Sequence, residues 1–130
     1  MVRRAPDAVD DAYARLVNAD PEFALAARTM SVDLLLGGSS RANVLHFVDG
    51  RLASFRAAAF DAPWQVGLRA SDATWSRFLA DPPPPTYTDL WAMRARVEDF
   101  RIEGDTLLLA RWARALTRAT NLLRVWAHGT

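Results

Sequence analysis

Apolar residues recur along the chain with two different periods, and each period predicts one type of secondary structure. Up to Met30 they recur every three or four positions, as at Tyr13 and Val17, which is the spacing of one helix face. Pro6-Asp7 opens this pattern, and Asp20-Pro21-Glu22 is a second helix-start signal. The first thirty residues therefore predict two helices.

A period of two residues follows and predicts strands. Four strands are expected, over Val32–Leu36, Val44–Val48, Leu52–Ala59 and Trp64–Ala70. Asp49-Gly50 is a strong hairpin signal between the second and third strands. In the fourth strand the alternation predicts that Trp64, Val66 and Leu68 lie on one buried face and that the other face is exposed to solvent.

Helical spacing returns after residue 71. Ser71-Asp72 starts a short helix that runs to Ala80, and Pro82–Pro85 form a stiff connector to another short helix, about Thr88 to Arg94. Phe100 and Ile102 predict a fifth strand. Gly104-Asp105 then starts a long last helix, about Thr106 to Ala127. One apolar stripe follows that helix: Leu108, Trp112, Leu116, Ala119, Leu123 and Trp126.

This order of elements predicts an α+β fold. We expect a five-stranded, mostly antiparallel sheet covered by helices, with a long amphipathic helix at the end. The 130 residues contain no internal repeat, so we expect one domain over 1–130.

Composition narrows the chemistry. The chain has no cysteine, which excludes disulfides and thiolate metal sites, and its two histidines lack the spacing of metal ligands. A net charge of +1 does not indicate nucleic-acid binding. No apolar run approaches the length of a membrane span, and residues 1–7 lack the apolar stretch of a secretory signal, so we expect neither feature. We therefore expect a cytoplasmic protein without a metal or cofactor.

The order of several short segments resembles one known family. These segments are Phe47-Val48-Asp49-Gly50, Val66–Ser71 followed by Trp75 and Phe78-Leu79, Pro82–Pro85, and Phe100–Asp105 with the amphipathic helix directly after it. Together they resemble the sterol carrier protein type 2 domain in a divergent, bacterial-type form, with Gly67 where members usually carry Asp. The resemblance implies the same fold and the binding or transfer of sterols, fatty acids or acyl-CoA esters. It implies no catalytic residues.

The aromatic residues are the candidate ligand contacts. Flat, rigid side chains are typical of apolar pockets, although a packed core that uses tryptophan would give the same pattern. The predicted cavity wall consists of Trp64, Phe78, Trp91, Met93, Phe100, Leu108, Trp112 and Leu116.

An arginine stripe lies on the other side of the last predicted helix. Arg111, Arg114 and Arg118 could contact an anionic membrane surface transiently. The alternatives are a solvated face, or pairing with the acidic start of the first helix at Asp7, Asp10 and Asp11.

Two other functions remain open. The first is a small cone-shaped α+β enzyme of the ketosteroid-isomerase or cyclase type, with Glu98 or His46 as the base. A cluster of carboxylates that could act as acid or base surrounds the fifth predicted strand: Asp99, Glu103 and Asp105. However, Asp99 and Glu103 are predicted on the solvent-exposed face of that strand, and Asp105 is predicted to cap the last helix. The second is a protein-interaction module that pairs through the Trp112–Trp126 stripe.

Overall fold

The predicted α+β fold is confirmed by the computed structural model, which describes residues 11–59 and 61–129. The strands are β1 (Val32–Gly37), β2 (Ala42–Val48), β3 (Arg51–Ala57), β4 (Val66–Arg69) and β5 (Arg101–Gly104). The helices are α1 (Asp11–Ala19), α2 (Pro21–Ala26), α3 (Asp72–Phe78), α4 (Leu90–Arg96), α5 (Thr106–Arg111) and α6 (Ala113–His128). The predicted helix start at Pro6-Asp7 lies outside the described residues.

The five strands form one sheet in the order β3-β2-β1-β4-β5. Neighbouring strands are antiparallel except β1 and β4, which are parallel because the chain crosses over from β3 to the far side of β1. The sheet is thus mostly antiparallel, as expected.

One face of the sheet carries the core. Leu34 pairs with Leu45 on one side and with Val66 on the other, and all three are fully buried. α1 packs on β3 and α6, and α2 packs on α6. The Tyr13 hydroxyl of α1 donates to the Ala119 carbonyl of α6 at 2.6 Å. Burial raises the pKa of Tyr13, so its phenol stays a neutral donor.

The prediction that Trp64 faces the core is wrong. β4 begins only at Val66, so the two-residue alternation does not reach Trp64. Its ring lies on the opposite, open face, where a Cβ at Gly67 would be 3.0 Å from it. The Arg69 guanidinium stands 5.7 Å from the ring centre on the same face. Gly67 is therefore the residue that lets Trp64 lie flat on the sheet.

The last predicted helix is divided at Trp112, whose backbone (φ −109°, ψ 26°) separates α5 from α6. The break lets α5 contact β4 while α6 follows α1 and α2. Leu116, Ala119, Leu123 and Trp126 are buried as the stripe predicts. Leu108 and Trp112, in contrast, are only half-buried, and Leu109 fills the core instead.

The arginine stripe is also divided. Arg111 and Arg114 are exposed, whereas Arg118 makes a two-bond ion pair with Asp20, at 2.9 and 2.8 Å. Asp20 caps α2 by accepting from the Phe23 amide at 2.8 Å. Arg118 therefore joins α6 to α2 and is not a free surface cation. Of the three acids that were considered as partners, Asp7 and Asp10 lie outside the described residues, and Asp11 is exposed at the start of α1.

This ion pair predicts an acid-sensitive stability. The bonds from Arg118 and Phe23 lower the pKa of Asp20, so the unfolded chain takes up the proton at a higher pH than the folded one. The stabilisation is complete above about pH 5 and is lost as pH falls through the lowered folded pKa. We expect Asp20→Asn, which keeps a capping oxygen, to lower the free energy of unfolding by about 1.5 kcal/mol at neutral pH.

Urea unfolding of wild type and Asp20→Asn measures this effect, and the difference should shrink towards zero at about pH 2. Asp61→Asn, at an exposed carboxylate, is the matched control and should change the unfolding free energy little at either pH. A difference between wild type and Asp20→Asn that does not vary with pH would contradict the ion-pair account.

Candidate functional site

A cleft opens between the covered face of the sheet and helices α3 and α6. Its volume is about 480 Å³, within the usual range of small-molecule sites. The sheet contributes Leu36, Asn43 and Phe55 to its wall, α3 contributes Asp72, Trp75 and Ser76, α6 contributes Leu123 and Trp126, and the loop residues Gly38, Ser40, Arg41 and Leu79 complete the lining. We call this space the α3–α6 cleft.

The aromatic walls of the cleft are held in place by their neighbours. Trp126 packs edge-on against Phe55, with ring centres 5.4 Å apart. Trp75 packs against Phe78 and Phe100 in the same manner, and its indole Nε1 donates to the Gly37 carbonyl at 2.7 Å. The tryptophan hydrogen bond leaves the apolar ring available to form part of the wall.

The turn between β1 and β2 is tied to the start of α3 at one side of the cleft. The Asp72 carboxylate accepts from the Ser39 amide at 2.8 Å, and the Ser39 hydroxyl accepts from the Asp72 amide at 2.9 Å. A Cβ at Gly38 would lie 2.3 Å from the Asp72 carboxylate, so only glycine allows this approach. The stretch Gly37-Gly38-Ser39-Ser40 between β1 and β2 is therefore a structural turn.

Asn43 is a polar residue in this otherwise mostly apolar wall. It stands on β2 opposite Leu36 of β1, on the covered face, and is 5% exposed. Its side-chain Nδ2 is buried and has no hydrogen-bond partner among the described residues. This nitrogen has almost no accessible surface, so it is not exposed to the cleft.

The predicted cavity residues lie elsewhere. Phe78, Met93, Phe100 and Leu116 are in the packed core, and Trp91, Leu108 and Trp112 are half-buried against it. Trp64 is on the open face. Trp91 lines a second cavity of about 420 Å³, together with Glu22, Ala26, Ala113, Arg114, Thr117, Arg118 and Asn121. None of the eight lines the α3–α6 cleft, and their role as ligand contacts stays a prediction.

The residues weighed as catalytic bases do not face the cleft either. Glu98 is exposed in the turn before β5, because that strand begins only at Arg101, so Glu98 does not share a strand face with Phe100. His46 lies on the open face, with its Nδ1 bonded to the Asp33 carboxylate. Arg41 and Asp72 are the titratable residues of the cleft lining.

The acidic cluster around β5 is structural. Asp99 accepts from the Thr74 hydroxyl at 2.8 Å and from the Ser71 amide at 3.2 Å, and the bonds from Ser71 and Thr74 lower its pKa. Glu103 pairs with Arg69 at 2.6 Å. Asp105 caps α5 by accepting from the Leu108 amide at 2.9 Å, as predicted.

Residues 11–59 and 61–129 contain no cluster of three or more acidic or histidine side chains that could hold a metal ion. In the same part of the chain, no helix has the length and apolar character required to cross a bilayer.

No protein-family model matches the sequence, and no curated protein matches it. Solved structures do match the fold. The crystal structure of sterol carrier protein 2 aligns with a TM-score of 0.70 and 23% identity, over 88% of this chain and 92% of that one. A conserved hypothetical protein from Thermus thermophilus, suggested to be a sterol carrier protein, aligns with a TM-score of 0.72 and 22% identity, over 98% of this chain and 95% of that one.

The ubiquinone synthesis protein UbiJ-SCP2 aligns with a TM-score of 0.55 and 11% identity, over 87% of this chain and 90% of that one. Identities this low support common architecture, because fold outlasts sequence similarity and does not by itself fix function. The resemblance seen in the sequence is confirmed at this level, and the chain is a sterol carrier protein 2-like domain in its fold.

Proposed function

We propose that this chain is a non-catalytic carrier that holds one apolar molecule in the α3–α6 cleft. The observation that carries the proposal is the cleft itself, about 480 Å³ in volume and walled by Leu36, Phe55, Trp75 and Trp126. The fold supports the same conclusion, since the aligned structures include sterol carrier protein 2. Fatty acids, acyl-CoA esters and sterol-like lipids are the proposed ligand classes.

Binding would be driven by removal of ligand surface from water. A ligand that buries roughly 300 Å² of apolar surface at about 25 cal/mol per Å² gains about 7 kcal/mol. Part of this gain offsets the entropy lost on association. The rigid aromatic walls reduce that cost because Trp75 and Trp126 are already fixed by their neighbours.

The alternatives have less support. An enzyme of the isomerase or cyclase type needs a base facing its substrate, and Glu98 and His46 both lie away from the cleft. An interaction module built on the Trp112–Trp126 stripe would need an accessible Trp126, which is 5% exposed and packs on Phe55. A cytoplasmic location, the absence of nucleic-acid partners and membrane contact through Arg111 and Arg114 stay predictions.

Quenching of tryptophan fluorescence by a brominated fatty acid tests the proposal, because bromine quenches an indole only near contact. We expect saturable quenching of the wild type. The double variant Trp75→Phe/Trp126→Phe should lose most of the quenching while its fluorescence from the remaining tryptophans persists. Trp64→Phe, on the open face, is the matched control and should leave the quenching unchanged.

Two outcomes would count against this proposal. Absence of saturable quenching in the wild type by brominated fatty acids, acyl-CoA esters and sterols would exclude the carrier function. Quenching that disappears only in Trp91→Phe would move the ligand to the second cavity and out of the α3–α6 cleft.

A further inference from the structure

We propose that this protein docks on a phospholipid membrane through the outer side of α5, with Leu107 inserted between the lipids and two arginines, Arg111 and Arg114, bound to their phosphates. We call this surface the α5 patch, and it consists of Leu107, Leu108, Arg111, Trp112 and Arg114. The docking goes beyond the proposed carrier function, and it can be tested while the α3–α6 cleft is empty.

The first step is the orientation of α5. Leu109 of this helix is buried in the core, at 2% exposure, whereas Leu107 is 83% exposed. Successive residues of a helix are about 100° apart, so Leu107 and Arg111 point away from the side that Leu109 occupies. Among the described residues, Leu107 is the most exposed large apolar side chain. It therefore faces solvent without contributing to the core.

The second step is the continuity of the apolar surface. A single exposed leucine is ordinary on a protein surface. Leu107 is not isolated, however, because Leu108, which follows it, and Trp112, one turn further on, are both half-buried. The Arg111 guanidinium stands 5.3 Å from the centre of the Trp112 ring. Leucine, tryptophan and arginine side chains thus share one surface where α5 meets α6.

The third step is charge. From α5 onwards the sequence carries four arginines and no acidic residue. Arg118 is held by Asp20, and Arg124 donates to main-chain carbonyls. Arg111 and Arg114 are exposed, and neither makes an ion pair with another described residue. These two guanidinium groups are therefore available to lipid phosphates, which arginine binds with two parallel hydrogen bonds.

Two carboxylates stand near the α5 patch, and each has a partner of its own. Asp105 accepts from the Leu108 amide as the cap of α5. Glu22 lines the second cavity with Arg114, but it lies 3.3 Å from Arg118 in the ion pair between α2 and α6. The docking therefore relies on the two available guanidinium groups and the apolar side chains, and not on the net charge of this region.

The fourth step is the identity of the partner. A stable protein–protein interface uses about 20–30 residues from each side, several times the number in the α5 patch. A membrane surface, in contrast, needs no complementary shape, and leucine, tryptophan and arginine are residues that favour its boundary with water. Arginine can keep its charged group at the phosphates while its carbon chain lies along the lipid. The size and composition of the patch therefore point to lipid.

Sedimentation of the ligand-free protein with sucrose-loaded vesicles of phosphatidylcholine and phosphatidylglycerol, in equal parts, tests the docking. We expect the wild type to sediment with them and Leu107→Gln to bind about tenfold more weakly, because the inserted leucine is lost. Arg111→Gln/Arg114→Gln should bind about twentyfold more weakly, through the loss of two phosphate contacts. Val48→Gln, at an exposed apolar residue of β2, is the matched control and should bind as the wild type does.

A second measurement uses the wild type and reports on insertion. Vesicles whose lipids carry bromine on the acyl chains should quench tryptophan fluorescence, because Trp112 of the α5 patch comes close to the bromine. Trp112→Phe should lose most of this quenching. Trp64→Phe, on the open face of the sheet, should keep it.

Three vesicle results would overturn the docking: a wild type that stays in the supernatant, equal binding by Leu107→Gln and the wild type, or equal losses in Leu107→Gln and Val48→Gln. A dimer in solution that Leu107→Gln dissociates would assign the patch to a second copy of the chain and would also overturn it. These results leave the carrier function untouched, since the cleft is empty throughout. Failure of free brominated fatty acids to quench the wild type would instead count against the carrier function and leave the docking intact.

Discussion

Replacing Gly104 with alanine is expected to lower the free energy of unfolding by about 3 kcal/mol or more, one of the largest single-residue effects in this chain. Gly104 ends β5 with φ +86°, a conformation that costs residues with a Cβ. A Cβ there would lie 2.3 Å from the Gln65 carbonyl oxygen and 2.9 Å from the Trp64 ring. That carbonyl accepts from the Asp105 amide at 2.8 Å, so it cannot move away without breaking the junction between β5 and α5.

Urea unfolding of the purified variant measures the effect. Gly37→Ala is the matched control, since Gly37 also ends a strand of the same sheet and an added Cβ would meet only the flexible Arg69 side chain, at 3.1 Å. We expect Gly37→Ala to cost less than about 1 kcal/mol. If Gly104→Ala is no more destabilising than Gly37→Ala, the close approach to Gln65 is not as the structure describes it.

The elements that could be predicted from the sequence depend on contacts between near neighbours. Asp49-Gly50 forms the turn of the β2–β3 hairpin, with both residues at positive φ as this turn type requires. The alternation in β4 buries Val66 and Leu68 on the covered face. Asp105 caps the helix that follows β5. In each case a short stretch of chain contains all the residues that determine the turn, the buried strand face or the helix start.

The cleft could not be predicted because its wall comes from distant parts of the chain. Leu36 and Asn43 face each other only after the hairpin forms, and they meet Trp126 only when α6 crosses the sheet. The hydrophobic periodicity of the sequence also does not distinguish a residue of the packed core from a residue that lines a cavity. Phe78 and Leu116 satisfy the periodicity of both, and the structure places them in the core.

One position illustrates the limit of the alternation rule. Trp64 is two residues before Val66, but the strand starts after it and the glycines at 67 and 104 open space for its ring on the other face. Glycines in β4 and in the neighbouring strand β5 therefore leave room for the aromatic ring on the face opposite to the one that the alternation predicts. A pattern within one strand does not contain this information.

Arg124 was not singled out by any sequence pattern, although its contacts cross a large part of the chain. Its guanidinium donates to the Phe78 carbonyl at 2.8 Å, to the Tyr87 carbonyl at 3.2 Å and to the Thr88 carbonyl at 3.3 Å. It also lies over the Phe78 ring, 4.9 Å from its centre. In this way α6 holds the end of α3 and the end of the proline-rich connector at once.

We expect Arg124→Met to lower the free energy of unfolding by about 2–4 kcal/mol, because methionine keeps apolar bulk but leaves three carbonyl groups without this donor. Burial lowers the pKa of Arg124, which reflects the cost of taking the guanidinium out of water, and Asp81 and Asp89 partly offset it. Arg124→Lys should be intermediate, since lysine keeps the charge but not the planar fork. Arg114→Met, at an exposed position of α6, is the matched control and should cost little.

The same substitution connects stability to the proposed site. Leu79 follows Phe78 directly and lines the α3–α6 cleft, as does Leu123, which precedes Arg124. Loss of the guanidinium bonds should therefore speed amide hydrogen exchange over residues 79–90 and weaken binding of a brominated fatty acid, while exchange in β1 and β2 stays slow. If β1 and β2 instead exchange as fast as the connector in Arg124→Met, the substitution destabilises the whole protein. Arg124 would then stabilise the entire core, and not the cleft wall in particular.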